Sequence, residues 1–88
     1  MITNEEKSII IKYANNYKVS KVILFGSSLY KNDYNDIDIG VKGIAPELFF
    51  EFYGKLIIAL SKPVDIISLD DKTMFNDLVE KEGYIIYE

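Results

Sequence analysis

The sequence predicts an α+β fold: one domain over residues 1–88, built from a mixed β-sheet of three to four strands with flanking helices. Segments with the apolar spacing of helices alternate along the chain with short apolar runs that are typical of strands. Only the segment 26–35 joins the first two strands, and it is shorter than the dozen or so residues of a usual parallel crossover. These two strands are therefore expected to be antiparallel neighbours, while a longer helix carries the second connection.

The N-terminal half begins with a helix signal. Thr3 and Glu6 have the spacing of a capping box, and apolar residues at helical spacing follow them. A continuous apolar run then ends at Gly26, as expected of a buried strand. In order, the predicted elements are a helix over 4–17, a strand over 22–25, a short helix over 27–31, a turn over 32–35 and a strand over 36–41.

The C-terminal half is divided by glycine and proline. Gly43 ends the second strand, and Pro46 suits the first turn of a helix. Asp70 or Asp71 is expected to cap the last helix, which stops at Gly83. In order, the predicted elements are a helix over 46–60, a strand over 64–68, a helix that runs to residue 82 and a short edge strand over 84–87.

The third helix is unusually rich in aromatic residues. Phe49, Phe52 and Leu56 share one stripe and are expected to face the core. Phe50 and Tyr53 then point at least partly outward. Because so small a domain hides only about two-thirds of its unfolded surface, these rings predict a dimer or partner interface.

Composition excludes several classes of function. A net charge of -4 argues against a duplex nucleic-acid binder. The absence of Cys and His excludes thiolate metal sites, imidazole catalysis and His-ligated zinc. No apolar run approaches the roughly 20 residues of a membrane span, and the acidic, polar N-terminus does not resemble a signal peptide. A cytoplasmic location is therefore expected.

Three aspartates are the main candidates for chemistry. Asp36 and Asp38 alternate with isoleucines, so both are expected to project from one face of the second strand. Asp65 is the lone charge in the third strand and joins them if the two strands are neighbours. Three carboxylates without His or Cys form a ligand set for Mg²⁺ or Mn²⁺. The alternative is that each is a solvated position on a strand.

A second candidate site follows the first strand. Gly26 allows a ligand to approach the backbone closely, and the next amides begin a short helix whose N-terminus favours phosphate. Ser27 adds a hydroxyl, and Lys31 is the nearest cation. A Gly-Ser pair after a strand is also a common turn. The combination with the later aspartates is what favours a site.

In these motifs the chain resembles the minimal nucleotidyltransferase (MNT) domains of the DNA polymerase β superfamily. The shared pattern is an apolar strand, Gly26-Ser27, the Asp36-Ile37-Asp38 strand and Asp65 in a later strand. The resemblance implies a polymerase β palm-like fold. It also implies two Mg²⁺ ions on the three aspartates and the phosphates of ATP or another NTP on Gly26 and Ser27.

The resemblance further implies a partner and a reaction. Stand-alone MNT proteins resemble antitoxins whose partner is a HEPN-domain toxin, and the implied reaction is transfer of AMP from ATP to a hydroxyl of that partner. Asp65 is then also the candidate base for the hydroxyl. The alternative is a nucleotide-binding or partner-neutralising module with weak or no catalysis, because Ser28 to Lys31 replace the arginines frequent in the family. An acidic domain without a nucleotide role is a third possibility.

Overall fold

The structure, a computed structural model, describes residues Met1–Glu88. Its four strands form one sheet in the order β3-β2-β1-β4, in which β1 is antiparallel to β2 and β4 and β2 is parallel to β3. The mixed sheet and the antiparallel first pair confirm the predicted fold. The elements are α1 (Asn4–Asn16), β1 (Lys21–Phe25), α2 (Ser27–Tyr30), β2 (Ile37–Lys42), a 3-10 helix (Pro46–Leu48), α3 (Phe49–Ala59), β3 (Val64–Ser68), α4 (Met74–Glu82) and β4 (Tyr84–Tyr87).

The caps of α1 and α4 differ in how well they were predicted. The capping box of α1 is confirmed: the Glu6 amide donates to Thr3 Oγ1 at 3.1 Å, and the Thr3 amide donates to Glu6 Oε1 at 2.9 Å. The prediction that Asp70 or Asp71 caps α4 is wrong. Thr73 is the N-cap: its own backbone is extended, and its hydroxyl accepts a hydrogen bond from the amide of Asn76 at 3.0 Å. The Asp70 carboxylate instead accepts a hydrogen bond from the amide of Gly43 at 3.0 Å.

Two other boundaries lie a few residues from their predicted positions. The segment that begins at Pro46 opens as a 3-10 helix, and the α-helix starts only at Phe49. Strand β2 begins at Ile37, so Asp36 precedes the strand and is exposed. The amide of Ile37 donates to the carbonyl of Pro63 at 2.9 Å, which places the start of β2 beside the start of β3.

The two faces of the sheet are covered unequally. The closed face, which contains Leu24 and Ile39, packs against α1 and α3 in a core of 16 buried residues. The opposite face, which we call the open face, has a buried cluster of only three residues, where Val79 of α4 meets Ile23. Leu69 also lies over this face, above Gly40, where a Cβ would come within 2.8 Å of its side chain. The remainder of the open face is therefore left for polar side chains.

Helix α3 exposes more apolar surface than predicted. Phe52 and Leu56 are fully buried, and Phe50 is 80% exposed, as expected. Tyr53 is only half-buried and packs edge-on against Phe49. The 85% exposure of Ile58 was not predicted. The predicted dimer or partner interface stays a prediction. No helix of the chain is both long enough and apolar enough to cross a membrane.

Candidate functional site

A row of acidic side chains crosses the open face. Asp38 of β2 pairs with Asp65 of the parallel strand β3, so their side chains project from the same face of strands about 4.8 Å apart. On the other side, Asp38 pairs with Phe25 of β1, whose ring packs against the small cluster of the open face. Asp36 flanks the pair from the residue before β2. The structure thus places Asp38 and Asp65 side by side, with Asp36 next to them.

No positive side chain of the chain pairs with the carboxylates of this row. The pKa of Asp38 lies above its ordinary value, first because the carboxyl is partly buried and then because Asp65 and Asp36 repel its charged form. The ion pairs of the chain lie elsewhere, since Lys21 and Lys42 both pair with Glu80. The acidic row therefore has no positive side chain to balance it within the chain.

The chemistry of these donors suits a hard divalent cation. They offer carboxylate oxygens only, the ligands preferred by Mg²⁺ and Mn²⁺. No three acidic side chains of the chain are gathered closely enough to enclose an ion between them. The candidate site consequently consists of the pair in register, Asp38 and Asp65, with Asp36 as a flanking ligand.

The turn after β1 lies directly against this row. Gly26 has a φ of +75°, and a Cβ at this position would run into the Asp38 carboxylate. Ser27 begins α2 with its side chain exposed, whereas Ser28 is fully buried and its hydroxyl donates to the carbonyl of Phe25 at 3.4 Å. Only glycine permits this close approach, so the turn and the acidic row form one continuous site.

Lys31 ends α2 and is exposed. Its amide donates to the carbonyl of Ser27 at 2.9 Å, and its own carbonyl accepts a hydrogen bond from the Met1 amino group at 2.9 Å. Its ammonium group forms no ion pair with a carboxylate of the chain. The side chain is thus not committed within the chain, and its contact with phosphate stays a prediction.

A buried polar cluster around Tyr34, in the turn that leads into β2, was not predicted from the sequence. Tyr34 is 4% exposed and donates its hydroxyl proton to Glu6 Oε1, while Lys62 Nζ lies 3.6 Å from the centre of its ring. Burial, followed by the hydrogen bond to Glu6, raises the pKa of Tyr34 to about 12. Burial works to raise the pKa of Glu6, but hydrogen bonds from Tyr34 and Thr3 and the charge of Lys62 outweigh it and lower that pKa. The only sequence signal was an aromatic residue in an otherwise polar turn.

An apolar groove between α2 and α4 was also missed. It has a volume of about 170 Å³, and its lining includes Gly26, Leu29, Tyr30, Phe75 and Leu78. These side chains come from two helices that the sequence separates widely, so no local pattern reveals the groove. Its lining is mostly apolar, with Glu82 as its one carboxylate, so its chemistry is distinct from that of the acidic row.

The fold is similar to those of chains in solved toxin–antitoxin structures. A chain from a toxin–antitoxin structure with AMP-PNP is 27% identical, with a TM-score of 0.75 over 97% of this chain and 73% of that chain. A chain from a structure of tri-AMPylated Shewanella oneidensis HEPN toxin in complex with MNT antitoxin is 28% identical, with a TM-score of 0.72 over 93% and 69%. A chain of an MntA–HepT toxin–antitoxin structure, 23% identical with a TM-score of 0.72 over 97% and 72%, supports the fold alone.

The family is shown by a match over most of the chain. No curated protein matches it significantly. The family model described as "Polymerase beta, Nucleotidyltransferase" matches residues 8–88. This segment contains the turn at Gly26 and all three aspartates of the acidic row. The chain therefore belongs to the polymerase beta nucleotidyltransferase family.

Proposed function

We propose that the chain is a Mg²⁺-dependent nucleotidyltransferase that moves AMP from ATP to a hydroxyl group of a HEPN-domain partner protein, as the antitoxin of a toxin–antitoxin pair. The observation that carries the proposal is the acidic row. Asp38 and Asp65 lie in register on the open face, without a cation of the chain to balance them. The family match then supplies the class of reaction.

The roles of the residues follow from their positions. Asp36, Asp38 and Asp65 would hold two Mg²⁺ ions, which, when bound, neutralise charge at the phosphates and activate the attacking hydroxyl. Gly26 brings its backbone against Asp38, so the β- and γ-phosphates would lie over Gly26 and Ser27. Lys31 would supply a point charge to the same phosphates.

The chain also offers an acceptor for the proton that the attacking hydroxyl loses. The acceptor oxygen forms a bond to the α-phosphorus, and the bond from that phosphorus to the bridging oxygen breaks as pyrophosphate leaves. An in-line attack requires the hydroxyl to enter opposite the leaving group. Since pyrophosphate would lie at Gly26 on the β1 side, the hydroxyl enters from the β3 side. There Asp65 is exposed and would take its proton.

The proposed partner rests on the similar structures. One of them contains a tri-AMPylated HEPN toxin with an MNT antitoxin, and another contains AMP-PNP. We extend the chemistry of those proteins to this chain as a hypothesis. It agrees with an acidic site in a chain without His, in which a carboxylate is the side chain available to accept the proton of the hydroxyl.

The test uses ATP labelled at the α-phosphate, Mg²⁺ and a candidate HEPN-domain partner protein. The parent protein should transfer label to that partner, whereas Asp38→Asn and Asp65→Asn should lose the transfer by at least about 100-fold, because each removes a metal ligand. Asp71→Asn is the matched control, since Asp71 is exposed and lies outside the acidic row. Equal transfer by all four proteins would refute the assigned site.

One observation favours the alternative of a partner-neutralising module with weak catalysis. All ten basic residues of the chain are lysines, so no arginine can clamp the triphosphate with two parallel hydrogen bonds. If the parent suppresses the partner's toxicity and Asp38→Asn suppresses it equally well, neutralisation does not depend on nucleotide transfer. That result would favour the alternative.

A further inference from the structure

The segments that carry the acidic row are tied together by the buried cluster around Tyr34. Between Lys31 and Asp36, Tyr34 is the only buried residue. Its ring belongs to the core of the closed face, and its hydroxyl donates to Glu6 of α1. The turn that leads into β2 therefore has a single side-chain anchor in the core.

Each partner of Tyr34 belongs to a different part of the fold. Glu6 is fixed by the capping box of α1, where its Oε1 also accepts the Thr3 amide at 2.9 Å. Lys62, above the ring of Tyr34, lies two residues before Val64, where β3 begins. The hydroxyl and the ring of one tyrosine thus connect α1 to the segments that enter β2 and β3.

The anchor is close in sequence to the acidic row, both in the segment that enters β2 and in the segment that enters β3. Tyr34 lies two residues before Asp36 and four before Asp38, and Lys62 lies three residues before Asp65. A shift of the turn would move Asp36 directly, because Asp36 precedes the strand and has no ladder of hydrogen bonds to hold it. The anchor is therefore well placed to set the position of the flanking ligand.

We propose that Tyr34 and Glu6, with Lys62, are positioning residues for the cation site: they hold Asp36 in its flanking position beside the pair formed by Asp38 and Asp65. The inference rests on the proposed function, because it takes the three aspartates to be metal ligands. None of the three positioning residues needs to touch the ion. They act as the partners behind metal ligands do, through the orientation of the ligands.

The structure offers a matched control for this inference. Tyr17 also donates its hydroxyl proton to a glutamate, Glu51 Oε2, at 2.6 Å. That hydrogen bond raises the pKa of Tyr17 to about 12, ahead of the effect of burial. It joins the C-cap of α1 to α3, and neither helix carries a residue of the acidic row. Tyr17→Phe therefore removes the same chemical group as Tyr34→Phe, but away from the proposed cation site.

The experiment titrates each protein with MnCl₂ and measures free Mn²⁺ by electron paramagnetic resonance, with circular dichroism as the check on folding. Tyr34→Phe should raise the dissociation constant for Mn²⁺ about tenfold. Tyr17→Phe should leave it within about twofold. Glu6→Gln keeps an acceptor oxygen for Tyr34 and should bind Mn²⁺ nearly as the parent does, whereas Glu6→Ala should match Tyr34→Phe. This rescue separates positioning from general loss of stability.

Two results would overturn the inference alone: the parent and Tyr34→Phe bind Mn²⁺ equally, or Tyr17→Phe weakens binding as much as Tyr34→Phe. A parent protein that binds no Mn²⁺ would instead refute the proposed function, and the inference with it. If Tyr34→Phe does not fold, Lys62→Met is compared with Lys55→Met, a change at an exposed lysine of α3. Weaker binding by Lys62→Met alone supports the inference, and equal binding by the two contradicts it.

Discussion

The two faces of the sheet differ in how completely helices shield them from water. The closed face buries its apolar side chains against two helices, in a core that includes Leu24, Ile39 and Phe52. The open face packs against α4 over only part of its area and keeps Asp38 and Asp65 side by side. Like charges in adjacent positions destabilise a fold. The comparison indicates that the closed face supplies most of the stability, while the open face gives up some stability to keep a charged site.

The largest expected effect of a substitution is on the closed face. Phe52 is fully buried between α3 and the sheet, so Phe52→Ala should lower the free energy of unfolding by about 3–5 kcal/mol. Phe50 is the matched control on the same helix, because it is 80% exposed. Phe50→Ala should change the free energy of unfolding by no more than about 0.5 kcal/mol. Urea denaturation measures both, and similar losses in the two variants would contradict the comparison.

A smaller effect is expected where the open face meets the turn after β1. Gly26→Ala places a Cβ against the Asp38 carboxylate at a φ of +75°, which should cost about 1–3 kcal/mol of stability. The control is Gly54→Ala in α3, where a Cβ meets no atom within 4 Å. This change should increase stability by about 0.5–1 kcal/mol, because alanine is the better helix former. Thermal unfolding that moves in the same direction for both variants would contradict this account of Gly26.

The smallest effect is the pH dependence that Asp38 introduces. Its pKa in the folded protein lies above the ordinary value of 3.8, so the folded state binds this proton more tightly than the unfolded state does. Stability therefore falls as pH rises from about 3.8 through the pKa of the folded protein, and it stays lower above that range. Asp38→Asn removes this loss, so its advantage over the parent should grow across the same range to at most about 1 kcal/mol.

Urea denaturation of both proteins between pH 3 and 7, in EDTA, measures this difference. Asp71→Asn serves as the control, because Asp71 is exposed and outside the acidic row. If the gain in the free energy of unfolding of Asp38→Asn is constant with pH, the charge of Asp38 does not destabilise the folded protein.

Local patterns predicted the elements of the fold better than they predicted its polar contacts. The capping box at Thr3 and the apolar run of β1 each depend on neighbours within one element, so the sequence alone reveals them. The hydrogen bond from Tyr34 to Glu6 joins residues 28 positions apart. Its formation depends on how α1 packs on the sheet, and no periodicity encodes that packing.

The same distinction applies to the candidate site. Alternation indicated that Asp36 and Asp38 share a face, and the lone charge at Asp65 indicated a third member. Their arrangement as a pair with one flanking residue could not be predicted, because it depends on the residue at which β2 begins. That start is set by the hydrogen bond from the amide of Ile37 to the carbonyl of Pro63, a contact between distant segments.

We expect a bound cation to balance the repulsion among the aspartates of the open face. The most direct measurement is the melting temperature of the parent and of Asp38→Asn, first in EDTA and then in Mg²⁺ with ATP. We expect the order of the two melting temperatures to reverse: Asp38→Asn melts higher in EDTA, and the parent melts higher with Mg²⁺ and ATP, because only the parent retains the ligand. If Asp38→Asn gains as much from Mg²⁺ and ATP as the parent does, the acidic row is not the cation site.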